Sequence, residues 1–194
     1  MRVLVFCDVT DPWSYVGVTR LERAAATFTI LLGEPVEMGF RAAVPGERVE
    51  PEQAVAAARI SGIDLDVDDL VAADSTDAWR VLSWAAESGD GVQRDLLHQL
   101  WRAHFLEGAD ISDPFVLASR AALVGLDLET TEALVASDEY AAPVALQRET
   151  AESLGATSLP HVVVENEWTL AGLRSQDDYV QALHQIHRER SERA

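Results

Sequence analysis

Phe6-Cys7-Asp8-Val9-Thr10-Asp11-Pro12-Trp13-Ser14-Tyr15-Val16-Gly17 decides the fold of this chain. The residues ahead of it, Arg2 to Cys7, carry a short continuous apolar run, the pattern of a strand buried on both faces. Asp8 to Asp11 is a turn. Asp11 then stands where a helix N-cap belongs, and Pro12 suits the first helical position, since its missing N–H would have no partner there. A long helix follows from about Trp13. Its apolar residues Tyr15, Val18, Leu21, Ala25 and Phe28 recur every three to four positions, and Gly33 is placed to cap its end.

Composition narrows the partners before any motif is read. The chain has 194 residues, 48% of them hydrophobic, enough for one buried core. Its net charge is −18, and every basic residue is an arginine. Phosphate contacts need Lys and Arg, so nucleic acid and anionic membranes are excluded as partners. The absence of lysine is a hint of a GC-rich genome. One cysteine permits no intrachain disulfide. The N-terminal apolar run, Val3 to Phe6, is too short for a signal peptide, and no stretch reaches the ~20 apolar residues of a membrane-spanning helix. A cytoplasmic protein is the expectation.

Beyond the first helix, Val36–Phe40 reads as a second strand and Pro45-Gly46 as a break. From Pro51 to about Leu154 the pattern is helical throughout. Helices are expected over Glu52–Ile60, Ser75–Ser88, Val92–Leu106, from Ser112-Asp113-Pro114 to Gly125, over Asp127–Ala136, and over Ser137–Leu154 from a Ser-Asp-Glu cap. Strands return at His161–Glu165 and Trp168–Leu170, joined around Asn166 in a hairpin. Gln176–Ile186 is a closing helix with a frayed charged tail. The order is βαβ, a helical block, then ββα. That is an α/β chain with a thioredoxin fold, its core over about 1–45 and 155–190, carrying a large all-helical insertion over about 50–154 within a single domain, 1–194.

The motifs resemble those of the DsbA-like family, in its FrnE-like branch. The opening segment is similar to that family's Asp-x-x-Cys-Pro-Trp-Cys-Tyr-x-Gly signature, with Asp11 and Ser14 at the two cysteine positions. Asp74-Ser75-Thr76-Asp77-Ala78-Trp79-Arg80-Val81-Leu82 resembles its Asn-Thr/Ser-x-x-Ala-His-Arg-Leu stretch. His104-Phe105-Leu106-Glu107-Gly108-Ala109-Asp110-Ile111 looks like its Tyr-Phe-x-Glu-Gly-x-Asp-Ile helix end. Ser137-Asp138-Glu139-Tyr140 and Leu154 to Val164 match its late helix and strand. The likeness spans nearly the whole chain. It implies a cis bond at Leu159-Pro160, beside the turn. It also implies kinship with 2-hydroxychromene-2-carboxylate isomerases and kappa-class glutathione transferases, in which a serine at the first cysteine position holds the thiol of glutathione. A low-molecular-weight thiol is the one cofactor this suggests, and a homodimer is an assembly it leaves open.

Asp11 changes the chemistry of such a turn. A helix N-terminus stabilises a cysteine thiolate through its dipole and free N–H groups. A carboxylate there takes those bonds itself and repels a second anion. On this reasoning the Asp11 carboxyl is expected below about 4, a weak base, serving either as a plain cap or as an anion that binds a cationic or hydrogen-bond-donating group. Ser14 is the second motif position and has no evident base in the sequence, so it is a poor nucleophile. Asp11 and Ser14 are the candidate catalytic positions. Pro12, Trp13, Asp74, Trp79, Leu159, Pro160 and His161 are the candidate ligand-binding residues. Trp13 is a lid or stacking group, His161 a partner for Asp11, and Asp74, Trp79 and Arg80 the wall of a pocket between core and insertion. Cys7 reads as a buried apolar residue. His98 and His104 lack the i,i+4 spacing of a metal pair, and no metal is expected. The function expected is a family member that has lost its redox cysteines and binds a small molecule or peptide in a cleft under the helical lid. The alternative is an isomerase or transferase.

Overall fold

A computed structural model describes residues 1–45, 51–68 and 70–193. Gly46 and the expected start of the insertion near residue 50 lie outside them. The elements in order are β1 (Arg2–Cys7), α1 (Pro12–Leu32), β2 (Glu37–Ala42), α2 (Pro51–Ile60), α3 (Thr76–Ala85), α4 (Val92–Glu107), α5 (Pro114–Leu123), α6 (Leu128–Val135), α7 (Ala141–Ser153), β3 (His161–Val164), β4 (Trp168–Ala171) and α8 (Gln176–Arg193). The sheet order is β2-β1-β3-β4. β1 runs parallel to β2 and antiparallel to β3, with Phe6 opposite His161. Among the described residues this is a thioredoxin core whose βαβ and ββα halves are separated by α2–α7.

Strand alternation sends side chains to two faces. On one face Val3, Val5, Cys7, Val162 and Val164 share a cluster with Leu21 and Phe28 of α1 and with Tyr179 and Leu183 of α8. The same cluster takes in Trp79, Leu82, Leu97 and Trp101 of the helical block. Each such side chain removed from water contributes ~1.5–3 kcal/mol, so the block is held by shared burial. On the other face Phe6 packs with Ala43, Ala151, Leu159 and Val163. Glutamines seal the β2 edge. Gln93 Oε1 accepts the Phe40 N–H at 3.1 Å, and Gln147 Oε1 accepts the Ala42 N–H at 2.8 Å.

Three expectations need correction. The chain between Ile60 and Thr76 carries no helix among its described residues. The late helix begins at Ala141, not Ser137. The reason is Arg80, whose guanidinium is almost fully buried and collects the carbonyls of Leu134, Val135, Ser137 and Glu139 at 2.6–3.3 Å. Leu134 and Val135 end α6, while the Ser137 and Glu139 carbonyls, which a helix from Ser137 would use, are turned to Arg80, and Tyr140 stands at φ 60° just before Ala141. The C-terminal tail is helical to Arg193 and not frayed. Glu34 binds His187 Nδ1 at 2.7 Å and Arg190 at 2.8 Å, and Arg193 pairs with Glu167. The hairpin turns at Glu165 and Asn166, both with positive φ (51° and 57°).

Candidate functional site

The candidate site is the turn between β1 and α1. Asp11 has extended backbone (φ −95°, ψ 113°) and caps α1 with Pro12 in its first turn. Its Oδ2 accepts the Ser14 N–H at 2.8 Å and the Ser14 hydroxyl at 2.6 Å. Among the described residues its Oδ1 accepts only the Trp13 N–H, at 3.4 Å. The second motif position therefore does have a carboxylate partner, which the sequence left unseen: it is the first motif position. Ser14 is fully buried, so its hydroxyl serves Asp11 and is not offered to a substrate.

The expected pKa of Asp11 is overturned. Burial pushes its carboxyl up from 3.8 to about 6, aided by the charge of Asp8, and outweighs the lowering by the Ser14 and Trp13 hydrogen bonds. Desolvation disfavours the charged form, and here the local cap does not recover that cost. A carboxyl raised this far exchanges its proton closer to neutrality than an ordinary aspartate does.

Beneath the turn lies Asp8, which sequence reasoning missed as a site residue. It is 1% exposed. Oδ1 accepts the Thr10 N–H and hydroxyl at 2.8 and 2.6 Å, while Oδ2 accepts the Ser75 hydroxyl at 2.7 Å and the Trp79 indole N–H at 3.2 Å. Its own N–H donates to Ser14 Oγ at 3.1 Å. Arg148 of α7 adds bonds to Thr76 Oγ1 and Ser75 Oγ, at 3.1 and 3.2 Å. The signal available in sequence was the Asp-x-Thr pair at the strand end, the pattern of an Asx turn. Nothing there named Ser75 or Arg148 as partners.

The other expected residues divide. Leu159-Pro160 is cis, as the resemblance implied. Pro160 lies against Gly17 of α1: a Cβ on Gly17 would stand 2.5 Å from its Cγ. Trp13 is half-buried, its indole N–H without a partner among the described residues. Four expected residues are engaged elsewhere. Trp79 is fully buried and anchors Asp8, so it lines no pocket. Asp74 is exposed and caps the Thr76 N–H at 2.6 Å, and Arg80 is consumed by carbonyls. His161 makes no hydrogen bond with Asp11; strand alternation turns it toward the Phe6 face, where it is 3% exposed with both ring nitrogens unpartnered and its ring edge-on to Phe6. Burial lowers its pKa.

Cys7 is fully buried, and burial first, then the charges of Asp8, Asp11 and Glu22, push its thiol well up. Among the described residues no group of three or more His, Cys, Asp or Glu side chains could hold a metal ion. A cavity of about 510 Å³ lies between the β3–β4 hairpin and α8, and one of about 180 Å³ lies at the end of α4. Neither has a residue of the turn in its wall. Among the described residues no helix is long and apolar enough to cross a membrane.

Comparison with known proteins agrees with the fold. No curated relative matches the chain. A solved structure described as a probable DsbA oxidoreductase from Streptomyces coelicolor is 29% identical, with a TM-score of 0.82 over 95% of this chain and 89% of that one. The cytosolic disulfide reductase DsbM from Pseudomonas aeruginosa, solved with GSH, is 22% identical, with a TM-score of 0.71 over 97% and 100%. A 2-hydroxychromene-2-carboxylate isomerase is 14% identical, with a TM-score of 0.68 over the full length of both. The last two likenesses are of fold. The DSBA-like thioredoxin domain model matches residues 2–184, and the chain belongs to that family.

Proposed function

We propose that this is a DsbA-like protein of the cytoplasm that no longer exchanges disulfides and binds a small molecule or peptide at its turn. One observation carries the reading: a carboxyl, not a sulfur, takes the first-turn N–H groups of α1. The two-cysteine cycle needs an internal disulfide, and the single thiol lies in the core. What remains on offer is Asp11 Oδ1, an acceptor with one long bond, suited to a donor such as an amine, a hydroxyl or a neutral thiol.

An isomerase-type activity is the second reading, favoured by the rise of Asp11 to about 6, which suits proton transfer at neutral pH. The GSH of the structural neighbour makes a low-molecular-weight thiol the first ligand to try. The test is a thermal-shift and calorimetric screen of native protein and Asp11→Asn against glutathione, mycothiol, bacillithiol and a short unstructured peptide, beside an insulin-reduction assay. Binding that Asp11→Asn abolishes, without insulin reduction, supports the reading. Insulin turnover by the native chain overturns it.

A further inference from the structure

We propose that Asp8 is the positioning residue of the turn: its N–H sets the Ser14 hydroxyl onto Asp11, and its carboxylate ties that pair to the helical block. This deepens the reading above and rests on Asp11 being the working group.

Ser14 has one hydroxyl proton. The Asp8 N–H occupies an acceptor site on Ser14 Oγ at 3.1 Å, and the proton goes to Asp11 Oδ2 at 2.6 Å. The Ser14 N–H shares that oxygen. Oδ2 is therefore committed to the fold, and Oδ1, with one long bond among the described residues, is the oxygen left for a ligand. The Asp8 carboxylate takes four donors, two from Thr10 and one each from Ser75 and Trp79, and is nearly inaccessible. Two of those donors belong to the helical block, so a displacement of α3 reaches Ser14 through a single residue. A plain cap on α1 would need none of this: Asp11 alone satisfies the first-turn N–H groups. A buried network in which every member is paired holds one geometry, and loss of one member is felt by the rest.

The experiment follows the Ser14 amide and the Asp11 side-chain carboxyl carbon by NMR across pH, with Asp11→Asn assigning the carboxyl signal. In the native chain the Ser14 amide shift tracks the Asp11 titration. Ser75→Ala is expected to change the Ser14 amide shift and weaken that tracking, and Ser75→Thr, which keeps the hydroxyl, to restore it. Asp8→Asn is expected to lower the Asp11 midpoint, because a neighbouring negative charge is gone. A folded Ser75→Ala or Asp8→Asn protein with native Ser14 shifts and a native Asp11 midpoint overturns the proposal. Should Asp8→Asn not fold, Ser75→Ala decides. None of these readouts requires a ligand, so a failed ligand screen sinks the functional reading and leaves this result to stand or fall alone.

Discussion

Pro160 occupies the space where Gly17 has no side chain. A Cβ at Gly17 would lie 2.5 Å from Pro160 Cγ and 2.6 Å from Cδ, with Leu173 at 3.3 Å on the same side. Gly17 has no positive φ and lies within α1, where alanine would ordinarily be favoured by ~0.5–1 kcal/mol. Its reason for being glycine is contact. Gly17→Ala is expected to destabilise the protein by ~1–3 kcal/mol, the usual cost of overpacking, in urea unfolding. A neutral or stabilising result would mean that the Pro160 loop gives way freely.

The native protein is expected neither to reduce insulin nor to alkylate at its thiol. Cys7 is wholly inside the core and its thiol is pushed up by burial. The thiolate is the reactive species, so both access and ionisation are denied. Mass spectrometry after iodoacetamide treatment should find Cys7 unmodified in native buffer and modified in denaturant. Native-state labelling at a rate near that of a free thiol would contradict the packing of β1.

What was legible in the sequence was whatever neighbouring residues determine. Asp11 with Pro12 fixed the start of α1, Gly33 its end, and the apolar runs of β1 and β3 the sheet. The start of α7 was not legible, because it depends on Arg80, more than fifty residues away, drawing the carbonyls of Ser137 and Glu139. The ordered tail of α8 depends in the same way on Glu34. For Asp11 the identity of the residue was visible and its burial was not. The cap predicts a low pKa, burial a high one, and only the fold says which wins. The resemblance puts Pro160 beside the turn and so His161 near Asp11, but strand alternation turns the His161 ring to the Phe6 face.

Asp11 gives stability an unusual pH slope. Its pKa rises from 3.8 to about 6 on folding, so between those values the folded chain holds more proton than the unfolded one. Stability from this group is present at the acid end of that window and is lost as pH rises through about 6. The span corresponds to up to about 3 kcal/mol. Urea titrations of the native protein and Asp11→Asn, compared from pH 4 to pH 7.5, should show the native advantage shrinking as pH rises. An advantage that grows with pH would mean that the cap holds the carboxyl low after all.

Glu34 should show the opposite sign. Burial raises its pKa, but the hydrogen bonds from Arg190, the Met1 ammonium and His187 prevail and hold it at about 2, against an ordinary 4.5. A depressed carboxylate contributes stability above 4.5 that is lost as pH falls toward 2. Glu34→Gln is expected to lessen acid sensitivity and to speed amide exchange over the last two turns of α8, where His187 loses its partner and Arg190 keeps only Glu165. Unchanged exchange there would show that Phe28 and Leu183 hold the helix without the ion cluster.

The final expectation concerns sulfur in place of oxygen. Asp11→Cys with Ser14→Cys, in a Cys7→Ala background, returns thiols to the two motif positions while Pro12, Trp13, Tyr15 and the Pro160 contact stay in place. The introduced pair should form a disulfide that dithiothreitol reduces. The thiol at position 11 meets the same opposing forces as the carboxyl it replaces. The backbone N–H groups of residues 13 and 14 favour its anion, and burial and Asp8 disfavour it. The balance should differ, because a thiolate spreads its charge over a larger atom and is less strongly hydrated than a carboxylate, so it loses less on leaving water. Its pKa is therefore expected below the ordinary ~8.5, and lower again when Asp8→Asn is added. The measurement is the pH dependence of iodoacetamide labelling in Asp11→Cys, Cys7→Ala protein, with and without Asp8→Asn. A pKa at or above ~8.5 in both would mean that burial governs the turn whatever atom occupies it. The helix N-terminus would then activate nothing, and Asp11 would be a cap whose raised pKa is a by-product of packing.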